Sequence, residues 1–513
     1  MSGAIIKGRT VTADVEVSCD VCIIGSGAGG AVLAAGLAEA GLDVVILEAG
    51  GHHTRADWAA LREDLSYPML YQERGSRATA DLAISVLQGR TLGGGTVVNW
   101  TTCFRTPERV LERWQSVHGL EGWSTEAFAP HWAAVEERLS IGRWHEELVN
   151  ANNDVLRRGC AALGWDWSVL RRNVRGCANS GYCGLGCPVD AKQSMHLTYL
   201  PDAVAAGARI YADCRADRLE VVGDRVVAVH ASLLEGTTDR ESGHRLVVRP
   251  KVVVSSAGAI NGPALLLRSG LHEGGVGERT WLHPVVGMMG QYADRVSPWF
   301  GAPQSVSSHE FVDRGPDAVG FFLEAAPLHP MLSALAFSGM GEAQGELMSH
   351  LAHVSSVIAL HVDGWVQGDV GGTVTLRSDG RPSLDYPVTS QLTEAFAASH
   401  HAMAQVHLAA GADRVASTHV DPVILRTEAD LAQLKSAPYG AFEHNIFTAH
   451  QMGGCVAGPD PSTSVVDPQL RHHRVPNLFV VDGSVFPTAL GVNPSQTIYG
   501  IAHRARRVVG EAV

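Results

Sequence analysis

The sequence predicts an α/β chain (α+β overall) with two domains, one on a parallel sheet and one on a mainly antiparallel sheet with helices. The chain has 513 residues, too long for one typical domain. Residues 21–48 read as strand, glycine turn, helix and second strand, which is typical of a βαβ unit. Residues 374–388, VTLRSDGRPSLDYPV, read as two strands joined at Asp379-Gly380, which is typical of an antiparallel sheet.

The βαβ unit begins at residue 21 with VCIIGSGAGGAVLAAGLAEAGLDVVILEAG. Gly25 permits a tight turn, Gly27 lets the backbone approach a pyrophosphate, and Gly30 lets helix and strand pack closely. We expect a small-residue helix over residues 31–40, with the first N–H groups, from Ala28 onward, facing the anion. Glu48 ends the second strand 23 residues after Gly25, where its carboxylate can accept hydrogen bonds from a ribose. These residues predict a Rossmann-like, dinucleotide-binding domain.

This domain is predicted to be discontinuous, since later glycine turns also follow buried strands. We assign residues 15–105, 205–290 and 445–513 to it. Residues 106–204 and 291–444 are assigned to the substrate-binding domain, with loops that cover the cofactor. The apolar composition of residues 319–361 predicts a pocket for a hydrophobic ligand, with an ordinary core sheet as the alternative.

Charge and hydropathy exclude several classes of function. The net charge is −13 and no run of Lys or Arg stands out, which argues against nucleic acid or an anionic membrane as partner. The sequence contains no run of about 18 apolar residues that would predict a transmembrane helix. The N-terminal residues do not resemble a secretory signal, so we predict a cytoplasmic protein. The oligomeric state is not predicted.

Three further segments are GRTLGGGTVVN (89–99), VVVSSAGAINGPALLLRSGL (252–271) and PNLFVVDGSVFPTALGVNPSQ (476–496). With the N-terminal fingerprint, and in this order, they resemble the glucose–methanol–choline (GMC) flavin oxidoreductases over nearly the whole chain. Residues 182–203, YCGLGCPVDAKQSMHLTYLPDA, and residues 449–455, AHQMGGC, are similar to long-chain alcohol oxidases. Residues 322–330, FLEAAPLHP, together with HQMGGC and GVNPSQT, are similar to bacterial cholesterol oxidases.

The resemblance implies FAD as cofactor. Some relatives attach FAD through a histidine just before the family's asparagine; Val98 stands there, so noncovalent binding is expected. The glycines of GRTLGGGTVVN let the backbone lie against a flat ring. Beyond the N-terminal fingerprint, the residues that the resemblance places at FAD are Gly93, Gly94, Thr96, Asn99, Ala216, Asp482, Gly483, Asn493 and Pro494.

The resemblance also implies three catalytic residues. His450 matches the family's catalytic histidine, and a base with a pKa near the working pH suits removal of a hydroxyl proton. Asn493, 43 residues later, matches the asparagine of the His–Asn subtype, which can orient and stabilise but cannot act as the base. Glu324 matches the substrate-side glutamate of cholesterol oxidases, and an apolar pocket would raise its pKa. An ion-paired or exposed Glu324 is the alternative.

Cys177, Cys183 and Cys187, with His196 nearby, offer four soft ligands, but their spacing fits neither paired zinc knuckles nor a ferredoxin pattern. We therefore predict a loop near the flavin and no metal, with a metal site as the alternative.

The predicted activity is oxidation of a hydrophobic primary alcohol, long-chain or aryl-alkyl, to its aldehyde. A hydride goes to flavin N5, His450 acts as base, and O2 reoxidises the flavin to give H2O2. The alternatives are a 3β-hydroxysteroid (cholesterol-type) oxidase, an alcohol dehydrogenase with another electron acceptor, and a non-catalytic flavin-binding redox protein.

Overall fold

The computed structural model describes residues 3–236, 238–337 and 341–513, so residues 338–340 of the predicted apolar stretch 319–361 lie outside the described residues. The helices of the described chain are α1 (Ala28–Glu39), α2 (Arg55–Trp58), α3 (Glu63–Leu70), α4 (Glu108–Ser116), α5 (Thr125–Arg138), α6 (Ala151–Leu163), α7 (Tyr199–Ala205), α8 (Gly258–Arg268), α9 (Pro330–Ala336), α10 (Glu342–Ser349), α11 (Ser390–Ala409) and α12 (Ser495–Gly510).

The strands of the same residues are β1 (Ala4–Lys7), β2 (Val15–Ile24), β3 (Val44–Leu47), β4 (Ile84–Val86), β5 (Thr102–Cys103), β6 (Ile141–Arg143), β7 (Ser168–Val169), β8 (Arg171–Asn173), β9 (Arg209–Ala212), β10 (Cys214–Val222), β11 (Arg225–Leu234), β12 (Glu241–Ser255), β13 (Thr280–Trp281), β14 (Val285–Gln291), β15 (Val306–Ser308), β16 (Gly320–Glu324), β17 (Val354–Val362), β18 (Thr373–Leu376), β19 (Pro382–Asp385), β20 (Arg414–Ser417), β21 (Ile424–Leu425), β22 (Ile446–Thr448), β23 (Met452–Gly453) and β24 (Leu478–Val480).

The first large sheet contains the predicted βαβ unit. Its strand order is β1-β9-β3-β2-β12-β11-β10, and β24 pairs with β12. Parallel pairs in this sheet join β1 to β9, β9 to β3, β3 to β2, β2 to β12 and β12 to β24. Helix α1 begins at Ala28, three residues before the predicted start, because Gly27 already takes the N-cap position. A Cβ atom on Gly30 would lie 2.0 Å from the Gly25 carbonyl oxygen, so the strand and helix pack as closely as predicted.

The second large sheet is mainly antiparallel, with the order β21-β20-β14-β17-β16-β15-β7 and with β22 and β4 attached beside β14. Helix α11 packs against β14, β17 and α6. Residues in the central strand, β17, are all buried. The predicted α/β class with a second, mainly antiparallel sheet is confirmed.

The predicted domain boundaries stay a prediction. The strand pairing shows which of the two large sheets each predicted segment joins. Strand β1 pairs with β9 in the first sheet, so that sheet begins before the predicted boundary at residue 15. Strands β4, β14 and β22 belong to the second sheet although they lie within segments assigned to the cofactor domain. The predicted hairpin turn at Asp379-Gly380 joins β18 to β19, which form a two-stranded sheet of their own. No described helix is both long and apolar enough to span a bilayer.

Candidate active site

A cavity of about 710 Å³ lies where β2, β3, β12 and β24 of the first sheet end and meets the second sheet at β14 and β17. Open parallel sheets bind ligands at the carboxyl ends of their strands. The predicted site residues that line the cavity are Gly25, Gly27, Ala28, Glu48, Gly94, Thr96, Asn99, Ala216, His450, Asp482, Gly483, Asn493 and Pro494. Gly30, Gly93 and Glu324 are not among its lining residues.

The start of α1, at Gly27, leaves an open space at the cavity wall, which we call the cradle at Gly27. Gly27 is the N-cap and makes no side-chain capping bond, so the first N–H groups of the helix remain directed at the cavity. A Cβ atom added to Gly27 would meet only the Cα of Gly94, at 3.9 Å. The space in front of Gly27 is therefore free for a ligand, and the helix dipole favours a negative group there.

Glu48 lies beside this cradle and is almost completely buried. Its carboxylate accepts hydrogen bonds from Ser26 Oγ at 2.6 Å, the Ser26 N–H at 3.1 Å and the Gly50 N–H at 2.7 Å. Burial raises the pKa of Glu48, and these hydrogen bonds act in the opposite direction. The Gly93 N–H donates to Ser26 Oγ at 3.0 Å, so this amide is already used within the protein, and the role of Gly93 at the cofactor stays a prediction.

Asp482 joins the end of β24 to the start of α8. Its Oδ2 accepts from the Gly258 N–H and its Oδ1 from the Ser484 N–H, both at 2.8 Å. Burial raises the pKa of Asp482. Ala216 lies on β10 beside a break in register with β11, at the other end of the cavity.

The three predicted catalytic residues form one hydrogen-bonded cluster. His450 Nε2 lies 3.3 Å from Asn493 Nδ2, and Asn493 Nδ2 lies 3.5 Å from Glu324 Oε2. Gln304 also faces the cavity and donates to Glu324 Oε2 at 2.5 Å. Glu324 is completely buried behind Gln304 and Asn493, so it stands one side chain back from the cavity wall.

Burial moves the two titratable groups of this cluster in opposite directions. It lowers the pKa of His450 to about 4, so the imidazole is neutral at physiological pH. It raises the pKa of Glu324 to about 8, with the hydrogen bond from Asn493 opposing the shift. The expectation of a His450 pKa near the working pH is therefore not met, whereas the expected rise for Glu324 is present.

Comparisons with known proteins agree with this geometry. The GMC oxidoreductase family matches residues 67–285 and 369–502. A long-chain-alcohol oxidase of Arabidopsis thaliana, FAO4B, is 30% identical over 519 residues, covering 95% of this chain and 67% of that protein. An uncharacterized GMC-type oxidoreductase of Mycobacterium tuberculosis is 32% identical over 492 residues, covering 94% of this chain and 74% of that protein.

This chain belongs to the GMC oxidoreductase family. Two solved structures share its fold. Pyridoxine 4-oxidase from Mesorbium loti has a TM-score of 0.72 at 20% identity, covering 96% of this chain and 99% of that one. A formate oxidase variant of Aspergillus oryzae RIB40 has a TM-score of 0.71 at 15% identity, covering 97% and 99%.

The GMC oxidoreductase described here is therefore an FAD-dependent enzyme that acts on CH–OH donors. Its residues fit that cofactor. The uncapped start of α1 and the open face of Gly27 suit a pyrophosphate, and Glu48 suits a ribose. Helices α8 and α12 also begin at the cavity, at Gly258 and Ser495.

In this GMC oxidoreductase, three residues that the sequence analysis did not single out contact predicted site residues: Gln304, His283 and Lys192. Gln304 holds Glu324, and His283 Nδ1 lies 3.1 Å from His450 Nδ1. Lys192 is completely buried, and its ammonium group donates to the carbonyl oxygens of Val97, Asn99 and Cys183 at 2.5 to 2.9 Å. Lysine is rarely buried, so no sequence signal would have found this role.

The cysteine segment of the GMC chain is a packed loop. Lys192 binds the Cys183 carbonyl, the Trp58 ring N–H donates to the Cys187 carbonyl at 2.9 Å, and the Ala191 N–H donates to Cys187 Sγ at 3.2 Å. Across the described ranges, no three His, Cys, Asp or Glu side chains are placed to share a metal ion.

Replacing Lys192 by methionine is expected to weaken FAD retention. The substitution leaves three carbonyl oxygens without a donor, and each buried unsatisfied acceptor costs about 1–3 kcal/mol. Two of these carbonyls belong to Val97 and Asn99, on the loop that lines the cavity. Titration of the apoprotein with FAD, with Lys435→Met as an exposed control, measures the change. Equal FAD affinity in both variants would contradict this role.

Proposed function

We propose that this enzyme oxidises a hydrophobic primary alcohol, long-chain or aryl-alkyl, to its aldehyde. The main support is the His450–Asn493 pair, which faces a cavity whose wall also carries a set of apolar residues. The apolar residues of that wall are Leu87, Val98, Trp100, Val285, Ile358, Leu360, Phe447 and Ile498. The Arabidopsis relatives are named long-chain-alcohol oxidases, which favours the same substrate class.

The reaction removes a hydride from the carbinol carbon and a proton from the hydroxyl group. When bound, FAD supplies the hydride acceptor. The side chains of His450 and Asn493 hold the carbinol oxygen beside the cofactor. We propose O2 as the final electron acceptor, so that one alcohol and one O2 give one aldehyde and one H2O2.

Glu324, rather than the predicted His450, is the proton acceptor we propose. A general base is most effective when its pKa lies near the working pH, and this condition is met at Glu324 but not at His450. Glu324 Oε1 has no hydrogen-bond partner among the described residues. Because Glu324 is not at the cavity surface, we propose that one water molecule carries the proton from the carbinol to this carboxyl.

The rate of flavin reduction by alcohol is expected to rise with pH up to about 8 and then level off. A carboxyl group accepts a proton only when ionised, and the pKa of Glu324 is raised to about 8. His450 is neutral throughout this range, so its titration adds no further step. Stopped-flow reduction from pH 5.5 to 9.5 measures the profile. Glu324→Gln should lose the rise, and a flat wild-type profile would exclude Glu324 as base.

FAD is proposed to bind noncovalently. The side chain before Asn99 is Val98, which lines the cavity and has no nucleophilic atom. Denaturation followed by ultrafiltration should release all the flavin as free FAD. Flavin that stays with the protein would contradict this proposal.

A panel of alcohols tests the proposed function. Anaerobic mixing with short-chain, long-chain and aryl-alkyl primary alcohols should bleach the flavin, whereas a polyhydroxylated sugar serves as the negative control. Peroxide formation in air separates an oxidase from a dehydrogenase. A panel that leaves the flavin oxidised would favour the non-catalytic flavoprotein alternative.

A 3β-hydroxysteroid oxidase remains the second candidate because of Glu324. In the structure this carboxyl lies 3.5 Å from Asn493 Nδ2, one side chain back from the cavity wall, so a proton from a bound steroid would reach it through an intervening group. Formation of a conjugated enone from a 3β-hydroxysterol would support this candidate over the primary alcohol. The cytoplasmic location stays a sequence-based prediction.

A further inference from the structure

We propose that His283 is a positioning residue that fixes the tautomer of His450 with its proton on Nε2. In this tautomer His450 donates a hydrogen bond to the carbinol oxygen and does not withdraw the hydroxyl proton. The inference rests on the proposed function, because that function places the carbinol at His450.

The backbone of His283 is held in a fixed place between β13 and β14. The N–H groups of Leu282 and His283 donate to Asp363 Oδ2 at 2.8 Å and Oδ1 at 3.1 Å. The Tyr386 hydroxyl also donates to Asp363 Oδ2, at 2.6 Å. His283 has a φ of 44°, which is uncommon for a residue other than glycine and requires such support.

The backbone N–H group of Gly491 determines which ring nitrogen of His283 carries the proton. The Gly491 N–H donates to His283 Nε2 at 3.2 Å. A backbone N–H cannot accept a hydrogen bond, so His283 Nε2 must carry a lone pair. His283 is completely buried, and burial lowers its pKa well below the usual value, so the ring is neutral. A neutral imidazole has one N–H, which therefore lies on Nδ1.

The tautomer of His450 follows from the next contact. His283 Nδ1–H lies 3.1 Å from His450 Nδ1, so the His450 atom accepts. The two rings are held at this distance because the Thr448 hydroxyl donates to the Leu282 carbonyl and accepts from the His450 N–H at 3.1 Å. His450 is also neutral, so its single proton lies on Nε2, the atom that faces Asn493.

The contact with Asn493 is compatible with this assignment. Asn493 Oδ1 has no partner within the described part of the chain, and the two ends of an amide exchange places by a half-turn of the side chain. After that rotation Oδ1 accepts from His450 Nε2–H. The bond to Glu324 is then reversed, so that the protonated carboxyl donates to Asn493 Oδ1 and the opposing effect of the Asn493 donor on the Glu324 pKa is removed. A carbinol oxygen entering the site replaces Asn493 as the acceptor for His450.

Nitrogen-15 NMR of the FAD-loaded enzyme tests the inference without any substrate. Two-bond 1H–15N spectra of histidine-labelled protein distinguish the two neutral tautomers and the charged ring. The signals lost in His450→Gln belong to residue 450 and should show a proton on Nε2 in the wild type. A proton on Nδ1, or a charged ring, would overturn the proposal.

Variants at position 283 separate positioning from general stability. His283→Gln can accept from Gly491 and donate to His450, so it should keep the His450 signals in the Nε2–H pattern. His283→Leu removes the donor and should shift them toward the Nδ1–H pattern. His361→Gln is the matched control, since His361 is equally buried but bonds to Pro284 and Ser399. Unchanged His450 signals in a folded His283→Leu protein would also overturn the proposal.

The outcomes for the two proposals are distinguishable. If no alcohol reduces the flavin but residue 450 shows the Nε2–H pattern controlled by His283, the proposed function fails and the positioning role stands. If alcohols are oxidised but residue 450 carries its proton on Nδ1, the positioning role fails and the activity stands.

Discussion

Alanine in place of His450 is expected to slow reduction of the bound flavin by about 10²–10³-fold, the usual effect of losing one donor to a developing oxyanion. The reason is the loss of the His450 Nε2 hydrogen bond to the carbinol oxygen, which leaves Asn493 as the remaining side chain proposed to hold that oxygen. FAD should stay bound, because the cradle at Gly27 and the bonds of Glu48 do not involve His450. Single-turnover reduction at a saturating alcohol concentration measures the effect.

Two further variants show what His450 contributes. His450→Gln keeps an N–H donor but cannot accept a proton at neutral pH, so it should be faster than His450→Ala if the imidazole acts as a donor. His353→Ala removes a histidine that does not line the cavity and should have no effect. Equal loss in the alanine and glutamine variants would restore His450 as the base, and no loss in either would remove it from the reaction.

Valine in place of Gly27 is expected to abolish FAD binding while leaving the protein folded. The added side chain would project into the cavity, with only Gly94 Cα near its Cβ atom. The backbone of Gly27, at φ −73° and ψ −156°, is extended and has a negative φ, so the substitution does not force a residue with a side chain into the left-handed region. The purified variant should be colourless, and its circular dichroism spectrum should match that of the apoprotein.

Two other glycines provide the comparison. Gly142→Val adds the same side chain where no atom lies within 4 Å and should keep the flavin. Gly29→Val would place a Cβ atom 1.9 Å from the Val481 carbonyl oxygen and should disturb folding as well as binding. A yellow Gly27→Val protein with normal FAD content would show that the cofactor does not lie against α1.

The sequence predicted those parts of the site whose positions depend on residues that lie close together in the chain. Gly25, Gly27 and Glu48 occupy fixed places in a strand–turn–helix–strand unit, so their positions relative to one another follow from local geometry. His450 and Asn493 could be named only through the family resemblance, because 43 residues separate them. Their approach to 3.3 Å depends on how the ends of β22 and the start of α12 meet.

The rest of the site depends on burial, which a pattern of residue types does not encode. The pKa of His450 differs from the expected value because the ring is removed from water without a charged partner. Gln304 and His283 acquire their roles from contacts with residues at least 20 positions away. Two of the three carbonyl groups that Lys192 binds, those of Val97 and Asn99, lie more than 90 positions away. Gly93 lies within a correctly predicted turn, but the direction of its N–H group is set by Ser26.

The position of β24 has a consequence for how the enzyme matures. This strand follows every other described strand in the chain, yet it pairs with β12 in the interior of the first sheet and leads directly to Asp482. A nascent polypeptide that has emerged only as far as α11 lacks β24, Asp482 and Asn493 together. Flavin capture must therefore follow translation of the final segment, and partially synthesised chains should be unable to retain the coenzyme.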